Sequence, residues 1–128
     1  MATNTNVKGR GFVKRVRDRV KSNYERADDC EICGSSEDVE LHHFYSVSEM
    51  CTKWLNKKGI TITTDQESLD CRDEFIAEHW DELTNQCATL CNTHHKKLHR
   101  VYGPKPALTT GPKQGRWVVK QKAKHESI

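Results

Sequence analysis

Apolar residues recur at helical spacing over Phe12, Val13, Val16 and Val20, with Arg and Lys filling the other positions. The stretch from Phe12 to about Tyr24 is therefore expected to be a basic amphipathic helix, whereas residues 1–10 show no such period and are expected to be unstructured. Val39 to Tyr45 alternates and is rich in strand formers, which sends His42 and His43 to opposite faces of a strand. Ser46 or Ser48 can cap a helix running to Lys58, with Met50, Trp54 and Leu55 inward and Gly59 as its stop. Ile60 to Thr64 reads as a short extended piece, and Asp65 or Ser68 then opens a second helix through Leu69, Phe75, Ile76 and Trp80. Gln86 to Leu90 reads as another strand, and Asn92 or Thr93 can cap a helix over His94 to Val101 that ends at Gly103-Pro104. Prolines and glycines from Pro104 to Gly115 predict an extended tail in which Arg116 to Val119 docks as one short strand. No internal repeat and no second domain are visible.

Composition narrows the class. The chain has 128 residues, 34% of them hydrophobic and 30% charged, so a single modest and thin core is expected. Bound metal would add stability, because ligation free energy becomes folding free energy in such domains. No apolar run approaches the roughly 20 residues needed to span a membrane. The polar start Met1-Ala-Thr-Asn-Thr-Asn lacks the apolar stretch of a signal peptide. A cytoplasmic, reducing location is expected, so the six cysteines are read as ligands plus spare thiols rather than as disulfides.

Charge is segregated. Residues 1–21 carry seven Lys/Arg against Asp18 alone, and residues 103–128 carry six against Glu126 alone. The segment between holds eight bases and sixteen acids. Two basic ends around an acidic middle suggest arms that hold a polyanion, the plainer reading being solvated termini. Trp54 and Trp80 are expected in the core, and Trp117, between Arg116 and the lysines that follow, is a candidate for ligand contact.

Cys30 and Cys33 are two residues apart, followed by a turn at Gly34-Ser35-Ser36, so both sulfurs can reach one ion. Cys91 and His94 share that kind of separation and complete a tetrahedral Cys3His set of the structural zinc type. Cys51, Cys71 and Cys87 have no partner at ligand spacing and read as small buried hydrophobes. A second set is formed by His95 and His99, four apart on one helix face, with His42 from the strand. Three imidazoles leave open positions for water and a phosphate oxygen, and the adjacent His43 is free to act as a general base. His79 and His125 fall outside both sets and receive no role.

With these residues assembled, the chain resembles the HNH endonuclease family, the ββα-metal nucleases with a zinc knuckle, over roughly residues 30–99. The motifs that carry the resemblance are Cys30-x-x-Cys33, His42-His43 and Leu90-Cys91-x-x-His94-His95-x-x-x-His99. The resemblance implies His42, His95 and His99 as ligands of a catalytic divalent ion, Mg2+ first and Mn2+ or Ni2+ as alternatives. It implies His43 as general base, and Cys30, Cys33, Cys91 and His94 as ligands of a structural Zn2+, with His94 where Cys is usual. The family asparagine that holds the loop and orients the base falls on Gln86, with Asn85 the alternative. The implied fold class is α+β: a small single domain with a zinc-stabilised ββα core, an N-terminal basic helix and inserted helices. Residues 1–26 would be a basic arm, 27–103 the nuclease domain with a helical insertion at 46–84, and 104–128 a basic tail.

The substrate implied is double-stranded DNA, nicked or cut to leave 5′-phosphate and 3′-hydroxyl ends. Lys14, Arg15, Arg17, Arg19 and Arg116 would hold flanking phosphates, and Lys96, Lys97 and Arg100 the strand being cut. Short free-standing proteins of this kind occur in phage genomes and among homing endonucleases, so a phage protein acting inside its host, as monomer or homodimer, is expected. Two other readings stay open: a DNA-binding zinc module without catalysis, and a structural component of a larger DNA-processing assembly.

Overall fold

The computed structural model describes residues 2–24 and 26–126, with side chains from residue 11 onward. At its centre two strands, β1 (Val39–His43) and β2 (Cys87–Cys91), pair antiparallel with Val39 opposite Cys91 and His43 opposite Cys87. Strand side chains alternate between faces. His42 and Glu40 therefore share a face with Ala88 and Leu90, while His43 and Leu41 share the other with Cys87 and Thr89. Among the described residues there are six α-helices: α1 (Ala2–Val20), α2 (Val47–Lys58), α3 (Asp65–Glu78), α4 (Trp80–Thr84), α5 (Asn92–Tyr102) and α6 (Gly111–Glu126). The molecule is a small α+β domain.

The helix ends have local causes. Ser46 caps α2 by accepting from the Glu49 amide, and Gly59 ends it at φ 67, a left-handed conformation that glycine adopts without Cβ strain. Thr64 caps α3 by accepting from the Glu67 amide, one residue before the expected Asp65. The expected cap of α5 at Asn92 or Thr93 is not formed: the cap position is Cys91, without a side-chain bond, because that residue still belongs to β2.

The apolar residues divide into two clusters. Phe12, Val16 and Val20 of α1 pack with Val47, Met50 and Trp54 of α2, Phe75 and Ile76 of α3, and Leu83 of α4. The second cluster joins Cys30, Ile32, Ala88, Leu90, Cys91, Leu98 and Val118, which ties the cysteine loop, β2, α5 and α6 together.

Four expectations are corrected. Helix α1 begins at Ala2 rather than Phe12, since no proline interrupts residues 2–11 and helix can extend beyond its packed face; the side chains of Lys8 and Arg10 lie outside the described residues. The insertion between the strands holds three helices rather than two, because α3 stops at Glu78 and Trp80 opens α4 with 45% of its surface exposed. Leu69 is likewise exposed rather than inward. Residues 104–128 are not an extended tail with a strand at Arg116: Leu108–Thr110 form a 3-10 turn and α6 occupies Gly111–Glu126. Pro112 sits in the first turn of α6, where a missing N–H leaves no bond unmade.

Candidate functional site

The cysteine set converges. Gly34, at φ 78, turns the chain so that its amide donates to the Cys30 carbonyl at 2.8 Å, which folds Cys30 and Cys33 onto one side. The loop is held on β2 by the Glu31 amide to the Thr89 carbonyl (2.9 Å) and by the Thr89 amide to the Glu31 carboxylate (2.6 Å). Cys33 Sγ then lies 3.8 Å from Cys91 Sγ, and His94 Nδ1 lies 3.2 Å from Cys91 Sγ and 3.8 Å from Cys30 Sγ. All four donor atoms fall within 4.8 Å of one another, a group able to hold one metal ion. Burial raises the Cys30 thiol, but hydrogen bonds from the backbones of Cys33, Cys91 and Ile32 outweigh it and bring its pKa below the ordinary value. Burial lowers the His94 pKa, with Lys97 and His125 adding to it, so the imidazole is held neutral. Three soft sulfur donors plus one neutral imidazole fit zinc.

The histidine set converges as well. His42, from β1, and His95 and His99, from α5, bring one nitrogen each within 4.8 Å of the others. His42 Nδ1 is 3.1 Å from His95 Nε2, which is 3.0 Å from His99 Nε2. The outer nitrogens have their own partners. His99 Nδ1 lies 2.8 Å from the Gly103 carbonyl oxygen, an obligate acceptor, so it carries the proton and Nε2 is left bare. His95 Nδ1 faces the Glu40 carboxylate at 3.5 Å. His42 Nε2 meets Gln114 Oε1 at 2.7 Å. Burial lowers the His42 pKa to about 4, and burial and then His99 lower that of His95, so both are neutral at pH 7 as metal ligation requires. Imidazoles with bare nitrogens facing one point and hydrogen-bonded nitrogens facing away fit a transition-type divalent ion.

An open groove of about 490 Å3 leads to this set, with Glu40, His95, Lys96, His99 and Arg100 among its walls. His43 lies on the other face of β1. Its Nε2 is 2.9 Å from the Leu83 carbonyl oxygen, and the Tyr24 ring stands edge-on to it with centroids 4.8 Å apart. Burial lowers its pKa, assisted by the Arg17 charge. Asn85 and Gln86 do not supply the orienting bond. Both amides donate to the Asp81 carboxylate at 3.0 Å and hold the loop before β2 closed.

Among the basic residues, Lys14 pairs with Asp18 at 2.6 Å, and Arg15 binds Asp65 through its carboxylate and its carbonyl oxygen. Arg15 thus ties α1 to α3. Arg17, Arg19, Lys96, Lys97, Arg100 and Arg116 are exposed. Trp117 is half-buried against the strand cluster, and Trp54 is buried. Cys51 is buried as expected, whereas Cys71 and Cys87 are only partly covered.

Leu83, Glu40 and Gln114 carry no motif by which the sequence alone could single them out. Leu83 acts through its backbone, and Glu40 was one acid among many. Only the alternation of β1, which puts Glu40 on the face of His42, could have drawn attention to it.

One comparison bears on the whole chain. A family model described as the nicking endonuclease family, and named for phage T5, matches residues 1–127. The chain belongs to this family. A member of the nicking endonuclease family is an endonuclease, a hydrolase that breaks phosphodiester bonds in DNA. The match takes in α1 and α6, so both basic ends belong to the family unit. No solved structure matches the chain. Among the described residues, no helix is long and apolar enough to cross a membrane.

Proposed function

We propose that this nicking endonuclease is a metal-dependent nuclease of the HNH type that breaks one strand of double-stranded DNA at a time. The observation that carries the reading is the convergence of His42, His95 and His99, one nitrogen each within 4.8 Å, at the end of a groove that Lys96 and Arg100 make basic. His42, His95 and His99 would hold a divalent ion, which when bound would supply charge neutralisation on the scissile phosphate and on the leaving oxygen. An all-nitrogen donor set suits Mn2+ or Ni2+ better than the Mg2+ expected from the resemblance, since Mg2+ favours oxygen ligands.

His43 takes a proton from the attacking water. The Leu83 carbonyl can only accept, so Nε2 carries the hydrogen and Nδ1 offers its lone pair. Lys96 and Arg100 hold the phosphate of the strand being broken, and Arg17, Arg19, Lys97 and Arg116 hold flanking phosphates, which positions the duplex without reading its sequence. Arg15 and Lys14 contribute less, given their partners Asp65 and Asp18. Cys30, Cys33, Cys91 and His94 would hold zinc, which would fix the start of α5 and with it His95 and His99. In this reading residues 27–103 are the nuclease unit, 46–84 its helical insertion, and 1–26 and 104–128 the ends that embrace DNA. The protein acts inside the phage's host, and one set of catalytic groups per chain makes a nick rather than a double-strand cut.

The test is relaxation of supercoiled plasmid by zinc-loaded protein with Mg2+, Mn2+, Ni2+ or chelator, beside His95→Ala. Open-circular product that needs added metal and is missing with the variant is the expected result. Nicking in chelator, or an equally active variant, would overturn metal dependence. Linear product formed without an open-circular precursor would overturn the single-strand mode.

A further inference from the structure

Gln114 is wholly buried, an uncommon setting for a glutamine, and each polar atom of its amide has a partner. Its Nε2 lies 3.1 Å from the Phe44 carbonyl oxygen and 2.9 Å from Thr110 Oγ1. The Phe44 carbonyl can only accept. Thr110 donates its own hydroxyl hydrogen to the Ala107 carbonyl at 2.6 Å, so towards Gln114 it too can only accept. Both amide hydrogens are therefore committed, and the orientation of the amide is decided by its neighbours. Oε1 must face His42.

From this we infer that Gln114 is a positioning residue for the histidine-held metal, and that α6 belongs to the active centre; the inference rests on the metal reading proposed above. The amide oxygen accepts at 2.7 Å from His42, so His42 carries its hydrogen on Nε2 and turns a bare Nδ1 towards His95 and His99. His42 reaches the ion position through Nδ1, whereas His95 and His99 do so through Nε2. A ring that flipped or changed tautomer would face the ion with the wrong nitrogen or with a hydrogen. The chain of obligate acceptors, Ala107 to Thr110 and Phe44 to Gln114, excludes both. Gly111 lets α6 come this close: a Cβ there would stand 2.5 Å from the Tyr45 ring.

The test combines tautomer-sensitive 15N NMR of wild-type histidines with calorimetric titration of Mn2+ or Ni2+ into zinc-loaded protein. Wild type is compared with Gln114→Met, which removes the acceptor at similar size, and with Val118→Ala, which loosens the packing of α6 and leaves the Gln114–His42 pair in place. His42 is expected protonated at Nε2, the Met variant about 10- to 100-fold weaker for the added ion, and the Val118→Ala variant within a few-fold of wild type. Zinc content should be equal in all three. An Nδ1-protonated His42 in the wild type overturns the inference even if no variant folds. A Met variant binding as tightly as wild type overturns it, as do equal losses in both variants, which would make the effect one of packing. Wild type that takes up no second ion, with His42 still protonated at Nε2, would instead defeat the metal reading and leave the Gln114–His42 pairing standing.

Discussion

His43 Nε2 lies 2.9 Å from the carbonyl oxygen of Leu83, 40 positions along the chain. This bond closes the long insertion back onto β1 and fixes the tautomer of the imidazole. Burial keeps the ring neutral, and Tyr24 covers one side of it. His43→Ala is expected to slow nicking by about 10²- to 10⁴-fold, the usual worth of a general base. Affinity for the added divalent ion should be unchanged, because His43 is not in the converging set. Single-turnover nicking and metal titration of the same preparations check this. A rate within tenfold of wild type would transfer the proton-taking role to another group.

The cysteine set bridges a long separation: Cys33 and Cys91 are 58 positions apart and their sulfurs meet at 3.8 Å. Cys91→Ala is expected to lose one equivalent of zinc. A structural zinc can be worth about 10 kcal/mol or more in small domains, comparable with the ~5–15 kcal/mol of total stability. Much of the tertiary structure of β2 and α5 should go with it, read by near-ultraviolet circular dichroism and metal analysis. A variant that keeps one equivalent of zinc and a wild-type melting temperature would refute a structural role.

What the sequence revealed was what depends on local spacing. Cys30-x-x-Cys33 and the four-residue step from His95 to His99 bring their donor atoms together within a single turn, so that convergence could be read directly. The alternation that separates His42 from His43 was legible for the same reason. Residues 104–128 were not. Gly111 and Gly115 looked like breakers, yet both lie in α6, and at Gly111 a Cβ would stand 2.5 Å from the Tyr45 ring, whereas at Gly115 it would only touch Phe44 at ordinary contact distance. Gly111 permits close approach between distant segments, and that leaves no local pattern. Gln114 was hidden with them, and Leu83 contributes a backbone oxygen that no side-chain motif records.

Phe12 anchors α1 to the helical cluster. It is wholly buried, with its ring 6.3 Å from Trp54 and 5.9 Å from Phe75. Phe12→Ala is expected to cost about 3–5 kcal/mol in urea unfolding, the sum of lost transfer energy and the cavity left behind. Phe12→Leu should cost clearly less. A loss below about 1 kcal/mol for the alanine variant would mean that α1 is dispensable to the core.

Acid sensitivity follows from His42, whose pKa is lowered by burial from 6.5 to about 4. Between those values the unfolded chain binds a proton that the folded chain does not, so stability is full above pH 6.5 and falls as pH drops towards 4. This group alone should remove about 1.5 kcal/mol between pH 6.5 and pH 5 in protein without the second ion. His42→Gln should flatten the dependence over that window, whatever its effect on absolute stability. Urea midpoints for both proteins across the window decide it. Parallel curves would show that His42 is protonated equally in both states.

Lys96 and Arg100 stand four apart on α5, each one residue beyond a histidine of the converging set, and both line the groove that leads to it. If the proposed metal-dependent cleavage holds, cations there would meet the scissile phosphate, whereas cations on a merely solvated face would not. Each phosphate contact releases condensed counterions, so the logarithm of affinity falls with the logarithm of salt at roughly 0.9 per contact on duplex DNA. Replacing both residues with alanine is expected to weaken duplex binding and to reduce that slope by about 2. Fluorescence anisotropy over a salt series, in Ca2+ to hold the DNA intact, measures slope and affinity together. A slope equal to wild type, with affinity unchanged, would return both side chains to a solvated helix face and leave the phosphate to the exposed cations of α1 and α6.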